Sequence, residues 1–331
     1  MVKFTPTLCS PVKDLTMSAL TATQMIQRIS DSFNEHDYTE ALGMATEGVS
    51  HYPDEQPMMA YLRICALVRL ERIEEALKSL ATAIDSGIWY SEFILRESPS
   101  LKPLHGNPKF ERLILISEQK RSEESLQPPS DLMHFPVNKP GPFPALVVLH
   151  GNNGSVRRER EYWEATVSKG WMLGMVASRQ GGMMKGNYDW NDDEMTARRI
   201  QDFSSGLLKG GQVAANRLVL GGFSMGGRRA IEHTLKGSVG ARGFIVVMPY
   251  LTTLEDLEGL ISRAPAGLCG YIVTGDQDES HANSLELAGM MQAGGLSCQV
   301  KALPGQGHWY PPDFRTCLEG GLEFLGRSAR K

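Results

Sequence analysis

The stretch Arg217-Leu218-Val219-Leu220-Gly221-Gly222-Phe223-Ser224-Met225-Gly226-Gly227 constrains this chain more than any other. An apolar run ends on a glycine-rich turn, and a helix-compatible segment follows. Ser224 stands at the apex, in the pattern Gly-x-Ser-x-Gly. A serine on such a strand-to-helix turn projects its hydroxyl from the top of a sheet. The positions two before and two after it lie where the helix packs back, so they must be nearly free of side chain. Gly222 and Gly226 meet that demand. The helix N-terminus behind the serine turns backbone N–H groups toward any negative charge that forms there. The turn is suited to present Ser224 as a nucleophile.

Such a turn needs a sheet around it. Strand-like runs cover residues 132–137, 145–150, 171–178, 217–222, 243–248, 268–274 and 298–303. Helix-like stretches lie between them, at about 156–168, 192–209, 226–236, 253–262, 280–293 and 313–326. This alternation predicts βαβ units and a mainly parallel sheet. The strands are short and rich in Val, Ile and Leu, which suits a sheet covered on both faces. The fold class expected for residues 126–331 is therefore α/β.

The first third is different. From Thr16 to about Ile116 the pattern is helical and nearly free of strand signals. Two segments resemble each other, beginning at Tyr38 and at Ile73, and their Glu-Ala-Leu triplets lie 35 residues apart. Gly48 then matches Ala83, so small residues recur where helices would cross closely. The pattern resembles the tetratricopeptide repeat, in which helix pairs recur at about 34 residues. The tryptophan, glycine and tyrosine of that repeat's first helix are absent. The expected organisation is an all-α, repeat-like domain over residues 1–125, with a loose lead-in over 1–16 and, over 117–130, a charged helix end followed by a proline-rich linker. The helices would serve as a plain bundle, as a surface for a protein partner or self-association, or as a lid.

Composition closes off other classes. The net charge is −4, so no basic excess is available to hold nucleic acid or an anionic membrane. The five cysteines are scattered with no Cys-x-x-Cys pair, which suggests free thiols and a cytoplasmic setting, with neither a disulfide framework nor a zinc site. The longest apolar runs are too short to span a bilayer. Gly222–Gly227 lacks the Lys-Ser/Thr of a P-loop and is no dinucleotide fingerprint. No metal and no cofactor is implied. The run Arg157-Arg158-Glu159-Arg160-Glu161 mixes signs and is expected to be a solvated helix face. Arg228 and Arg229 on the serine's helix are expected to form salt bridges.

Four motifs follow one another in order: His150-Gly151-Asn152-Asn153-Gly154, the Ser224 turn, Gly275-Asp276-Gln277-Asp278, and Gly307-His308. Together they resemble the α/β-hydrolase superfamily, and within it the small esterases of the phospholipase/carboxylesterase and dienelactone-hydrolase kinds. The resemblance covers about 200 residues. It implies a serine hydrolase acting on a small acyl substrate, most simply a carboxylic ester. Thioesterase, lactonase, peptidase and acyl-transferase chemistry uses the same parts. A repeat adaptor carrying an idle hydrolase fold is the alternative of another class.

A serine hydroxyl needs a base within hydrogen-bonding reach, and the base needs an orienting partner. His281 and His308 follow the serine beyond its own helix. His308 lies on a glycine-rich loop after the last strand and is the expected base. Asp276, Asp278 and Glu279 are the acids available after the strand at 268–274. The related pattern Gly-x-x-Asp selects Asp278, and leaves Asp276 to cap the turn. The N–H of Met225 directly follows the nucleophile as one oxyanion donor. By resemblance, the backbone of Asn152 is the second. His150 itself is expected to be structural. The long loop 178–190 should border the same cleft, where Met183, Met184, Tyr188 and Trp190 would line a pocket for substrate or, for Trp190, anchor the loop.

Overall fold

The computed structural model describes residues 20–124, 129–137 and 139–328. The expected lead-in at 1–16 lies outside them, as do residues 125–128 of the expected linker. The described chain divides into two compact units. One comprises residues 20–124 together with the separate segment Gly181–Asn187; the other comprises residues 129–180 and 188–328.

The first unit is built of helices: α1 Ala22–Asn34, α2 Tyr38–His51, α3 Gln56–Arg69, α4 Ile73–Asp85, α5 Glu92–Glu97 and α6 Pro108–Glu124. Local chemistry starts several of them. Thr21 and Gln24 form a reciprocal capping box on α1, and the Asp37 side chain accepts from Glu40 N at the head of α2. The starts of α2 and α4 lie 35 residues apart, matching the repeated Glu-Ala-Leu. Gly48 lets α2 and α3 approach, since a Cβ there would stand 2.6 Å from Met59 Sδ. One apolar cluster gathers Met25, Ile29, Met44 and Met59, and a second gathers Leu67, Leu80, Ile84, Tyr90 and Phe110. Met184 joins the second cluster and is 2% exposed. Its segment is also held by backbone bonds. Met183 O accepts from Ser91 N at 2.8 Å, and Lys185 N donates to Trp89 O at 3.0 Å.

The second unit contains β1 Leu132–His134, β2 Phe143–Leu149, α7 Val156–Trp163, α8 Ala165–Ser168 and β3 Met172–Val176. The short strands β4 Gln180–Gly181, whose second residue belongs to the first unit, and β5 Tyr188–Asp189 follow, then α9 Asp193–Lys209, β6 Val213–Phe223, α10 Ser224–Leu235 and β7 Gly243–Val247. The last elements are α11 Glu255–Ile261, β8 Cys269–Gly275, α12 His281–Ala293, β9 Ser297–Leu303 and α13 Phe314–Ser328. Seven strands form one sheet in the order β1-β3-β2-β6-β7-β8-β9. Only β1 runs antiparallel to its neighbour.

Every residue of β2 is buried, and its side chains alternate between two cores. Ala145, Val147 and Leu149 pack with residues of α9, α10, α11 and α12, such as Ile200, Ile231, Leu257 and Leu287. Leu146 and Val148 pack with Trp163 of α7 and with Leu318 and Leu322 of α13. A sheet covered on both faces follows from this pattern. Among the described residues no helix is long and apolar enough to cross a membrane.

Three expected elements differ. The first strand ends at His134, before Pro136, which has no N–H to offer a ladder. β6 begins at Val213, four residues early; the polar stretch before Leu218 concealed it, and the pairing with β2 is irregular there. The helix expected at 156–168 is two helices that meet at Glu164.

Candidate active site

Chain direction across the sheet places the site. From β2 the chain moves to β3 on one side; from β6 it moves through β7, β8 and β9 on the other. The reversal falls between β2 and β6, and the carboxyl ends of the strands at such a point are where open α/β sheets bind ligands. Leu149 at the end of β2 pairs with Gly222 near the end of β6.

The turn between β6 and α10 is strained and held from several sides. Ser224 has φ 51°, the left-handed region that a side-chain-bearing residue rarely adopts. A Cβ on Gly222 would fall 2.5 Å from the backbone of Gly226. A Cβ on Gly226 would fall 2.3 Å from the carbonyl oxygens of both Leu149 and His150. Tyr250 N donates to Ser224 O at 3.0 Å, tying the turn to the segment after β7.

Two further loops converge on the serine. Ser224 Oγ lies 2.8 Å from His308 Nε2, and His308 Nδ1 lies 2.7 Å from Asp278 Oδ2. The Asp278 side chain is 1% exposed, while that of His308 is 40% exposed. The other oxygen of Asp278 accepts from Ser280 N at 2.7 Å. Asp276 does a different job from the expected cap of its own turn: Oδ1 accepts from Gly305 N at 2.8 Å, in the loop that carries His308. Gln277 N donates to Gln306 O in the same loop. His281 begins α12 and faces Thr274 Oγ1 at 3.4 Å.

The loop after β2 is a turn closed by Gly154 N donating to Gly151 O. A Cβ on Gly151 would stand 2.7 Å from the Phe223 ring and 3.5 Å from Ser224 Cβ, so this backbone passes beside the Ser224 turn. The Asn152 side chain is engaged on both atoms: Oδ1 accepts from Trp190 N, and Nδ2 donates to Asn191 Oδ1, each at 2.8 Å. His150 is buried, and burial pushes its pKa down to about 4. Ser178 N donates to its Nε2, so Nδ1 carries the proton toward Gly151 O.

The seven-stranded order, the serine turn at the reversal point and the later acid and histidine loops together decide the fold. It is the α/β-hydrolase fold. No family model matches the chain, and no curated protein matches it. Among solved structures, an uncharacterized protein from Bacillus cereus is similar at TM-score 0.52 and 18% identity, over 92% of this chain and 99% of that one. Est1E from Butyrivibrio proteoclasticus is similar at TM-score 0.49 and 15% identity, over 61% of this chain and 94% of that one. An esterase from Thermogutta terrifontis gives TM-score 0.44 and 17% identity, over 60% of this chain and 88% of that one.

The residues expected to line a pocket part company. Trp190 is fully buried, its indole N–H donating to His150 O at 2.8 Å. It anchors the loop and leaves no ring surface for a ligand. Met183 and Met184 belong to the helical unit, Met184 in its core. Tyr188 stays partly exposed, with its N–H on Gly154 O. Arg228 and Arg229 are engaged as expected, both with Glu232, and Arg229 also with Trp190 O.

Sequence reasoning missed one carboxylate. Glu159, in the run expected to be solvated, is 5% exposed. Its Oε1 accepts from Gly151 N at 2.8 Å, and its Oε2 accepts from Tyr310 O–H at 2.7 Å. Burial pushes its pKa up to about 7, against the opposing pull of those two donors and of Arg158. The signal was helix phase. Val156, Glu159 and Trp163 sit at i, i+3 and i+7, and all three are buried.

Proposed function

We propose that this protein is a serine hydrolase that cleaves a carboxylic ester through an acyl-enzyme on Ser224. His308 Nε2 takes the hydroxyl proton as Ser224 Oγ bonds to the carbonyl carbon. Asp278 accepts the Nδ1–H of His308, which keeps Nε2 free to act as base and stabilises the imidazolium that forms. The carbonyl π electrons move to oxygen, and the oxyanion is held by the N–H groups of Met225 and Asn152. As the oxyanion collapses, the bond to the leaving alkoxide breaks and His308 returns its proton to that oxygen. Water then adds to the acyl carbon with His308 as base. The bond to Oγ breaks, Ser224 regains a proton, and the acid departs.

One observation carries this reading: the unbroken chain from Ser224 Oγ to His308 Nε2 at 2.8 Å and from His308 Nδ1 to the buried Asp278 at 2.7 Å. The exposed histidine edge leaves the serine open to an incoming carbonyl, while the buried acid is shielded from water.

The test is Ser224→Ala against short-chain p-nitrophenyl esters, with fluorophosphonate labelling alongside. Turnover should fall by about a thousandfold or more, and labelling should vanish. Undiminished turnover in the folded variant would refute the assignment. Absence of labelling in folded wild-type protein would move the function to the helical unit. A profile across acyl lengths and leaving groups identifies the substrate, since thioesters, lactones and transfer to other acceptors use the same parts.

A further inference from the structure

Glu159 is a buried carboxylate with no step in the reaction above. A carboxylate removed from water is unfavourable unless its oxygens are well partnered, and an apolar side chain of similar size would avoid the penalty. Here the partners come from separate loops. Gly151 N–H belongs to the turn whose next residue is Asn152. Tyr310 follows His308 by two residues, and its hydroxyl donates to Glu159 while accepting from Trp163 Nε1 at 2.9 Å. The Tyr310 ring also stacks on Phe223, the residue before Ser224, at 4.7 Å between centroids. Gly154 completes the seat, because a Cβ there would stand 2.3 Å from Glu159 Oε1.

We propose that Glu159 is a positioning residue that sets the Gly151–Asn152 backbone and the His308 loop relative to Ser224, through Gly151 N–H and Tyr310 O–H. The proposal rests on the hydrolase reading. All donors in this network point one way, from Trp163 N–H to Tyr310 O, from Tyr310 O–H to Oε2, and from Gly151 N–H to Oε1. The ionised carboxylate is the stronger acceptor at both oxygens. A proton on Oε2 would weaken its bond from Tyr310 O–H.

The groups facing Glu159 are Tyr310 from the His308 loop, the Gly151 amide from the turn after β2, and Arg158 from its own helix. The cation and the two donors favour the charged form, and burial opposes them. The carboxylate therefore titrates near neutrality, and the network is complete on the alkaline side. Protonation of Glu159 then contributes to the acid limb of the activity.

The experiment compares wild-type protein, Glu159→Gln, Tyr310→Phe and the double variant on one short p-nitrophenyl ester, with Ser224→Ala as reference and melting curves to confirm folding. Glu159→Gln should lower kcat at least tenfold while KM moves less than about twofold. The loss of kcat/KM on acidification should be shallower in Glu159→Gln than in wild type, because the titrating carboxylate is gone. Tyr310→Phe should also lower kcat, and the double variant should be no worse than Glu159→Gln, because both cut one network. Should Glu159→Gln not fold, Tyr310→Phe keeps the carboxylate and still reads out kcat. A folded Glu159→Gln with wild-type kcat and an unchanged limb overturns the proposal, as does a variant altered only in Tm. If Ser224→Ala retains turnover, the hydrolase reading itself fails. If Ser224→Ala is inert while Glu159→Gln and Tyr310→Phe behave as wild type, only the positioning role fails.

Discussion

At Ser224 the backbone stands at φ 51°, a conformation that costs a non-glycine residue about 1–2 kcal/mol. The surrounding residues hold it there, and the two glycines of the motif do so by what they lack. The space at Gly226 is closed by backbone carbonyls of Leu149 and His150, which cannot swing aside as a flexible side chain would. Gly226→Ala should therefore destabilise the protein by roughly 2–4 kcal/mol or prevent folding, and any folded fraction should be nearly inactive. Gly206 is the matched control. It lies in α9 of the same unit with nothing within 4 Å of a Cβ, so Gly206→Ala should raise stability by about 0.5–1 kcal/mol. Urea melts of both variants check the contrast; equal effects would mean that helix propensity, not the crowded carbonyls, governs Gly226. The motif was legible in the sequence because glycine spacing records this crowding directly. The burial of Glu159 was not legible, because a run of alternating charges describes the exposed faces of a helix and hides the one position whose phase points inward.

At the scale of elements, the sequence displayed the sheet better than the loops. Buried strands such as β2 and β8 are continuous apolar runs, so their place and type could be read. The polar start of β6 and the proline after β1 fell outside that signal. Loops were harder, since a side chain's role there depends on which other loop it reaches. Asp276 and Asp278 show this. Both follow β8, yet Asp278 turns inward to His308 and Asp276 turns across to Gly305. Replacing each by Asn separates the two roles. Asp278→Asn puts an amide against the His308 ring and favours the wrong tautomer, so kcat should fall by about a thousandfold to ten-thousandfold. Asp276→Asn keeps an oxygen for Gly305 N–H, and kcat should stay within about fivefold. Steady-state hydrolysis of one short ester decides; the reverse order of effects would assign the acid to Asp276.

At the scale of the whole chain, the two units do not divide at one point. The helical unit takes its last piece from residues Gly181–Asn187, far along the sequence from Glu124. Composition marks a boundary near residue 125, but it carries no trace of a seven-residue segment returning to the first unit. Met184 is the apolar plug of that segment, Met183 and Lys185 supply its backbone bonds, and Lys185 Nζ donates to Gly87 O at 3.0 Å. A single cut at residue 125 would strip this segment of its partners. The clasp can be tested in the intact chain. Met184→Ser removes most of a buried side chain and should destabilise the helical unit by roughly 2–4 kcal/mol. Local opening then exposes the peptide after Lys185, which is a trypsin site. Wild-type protein should resist cleavage there, because proteolysis of a held segment follows the population of its open form. Met184→Ser should be cut after Lys185 at least tenfold faster, with the fragments identified by mass. Equal and rapid cleavage in both proteins would show that the segment is not held by the helical unit.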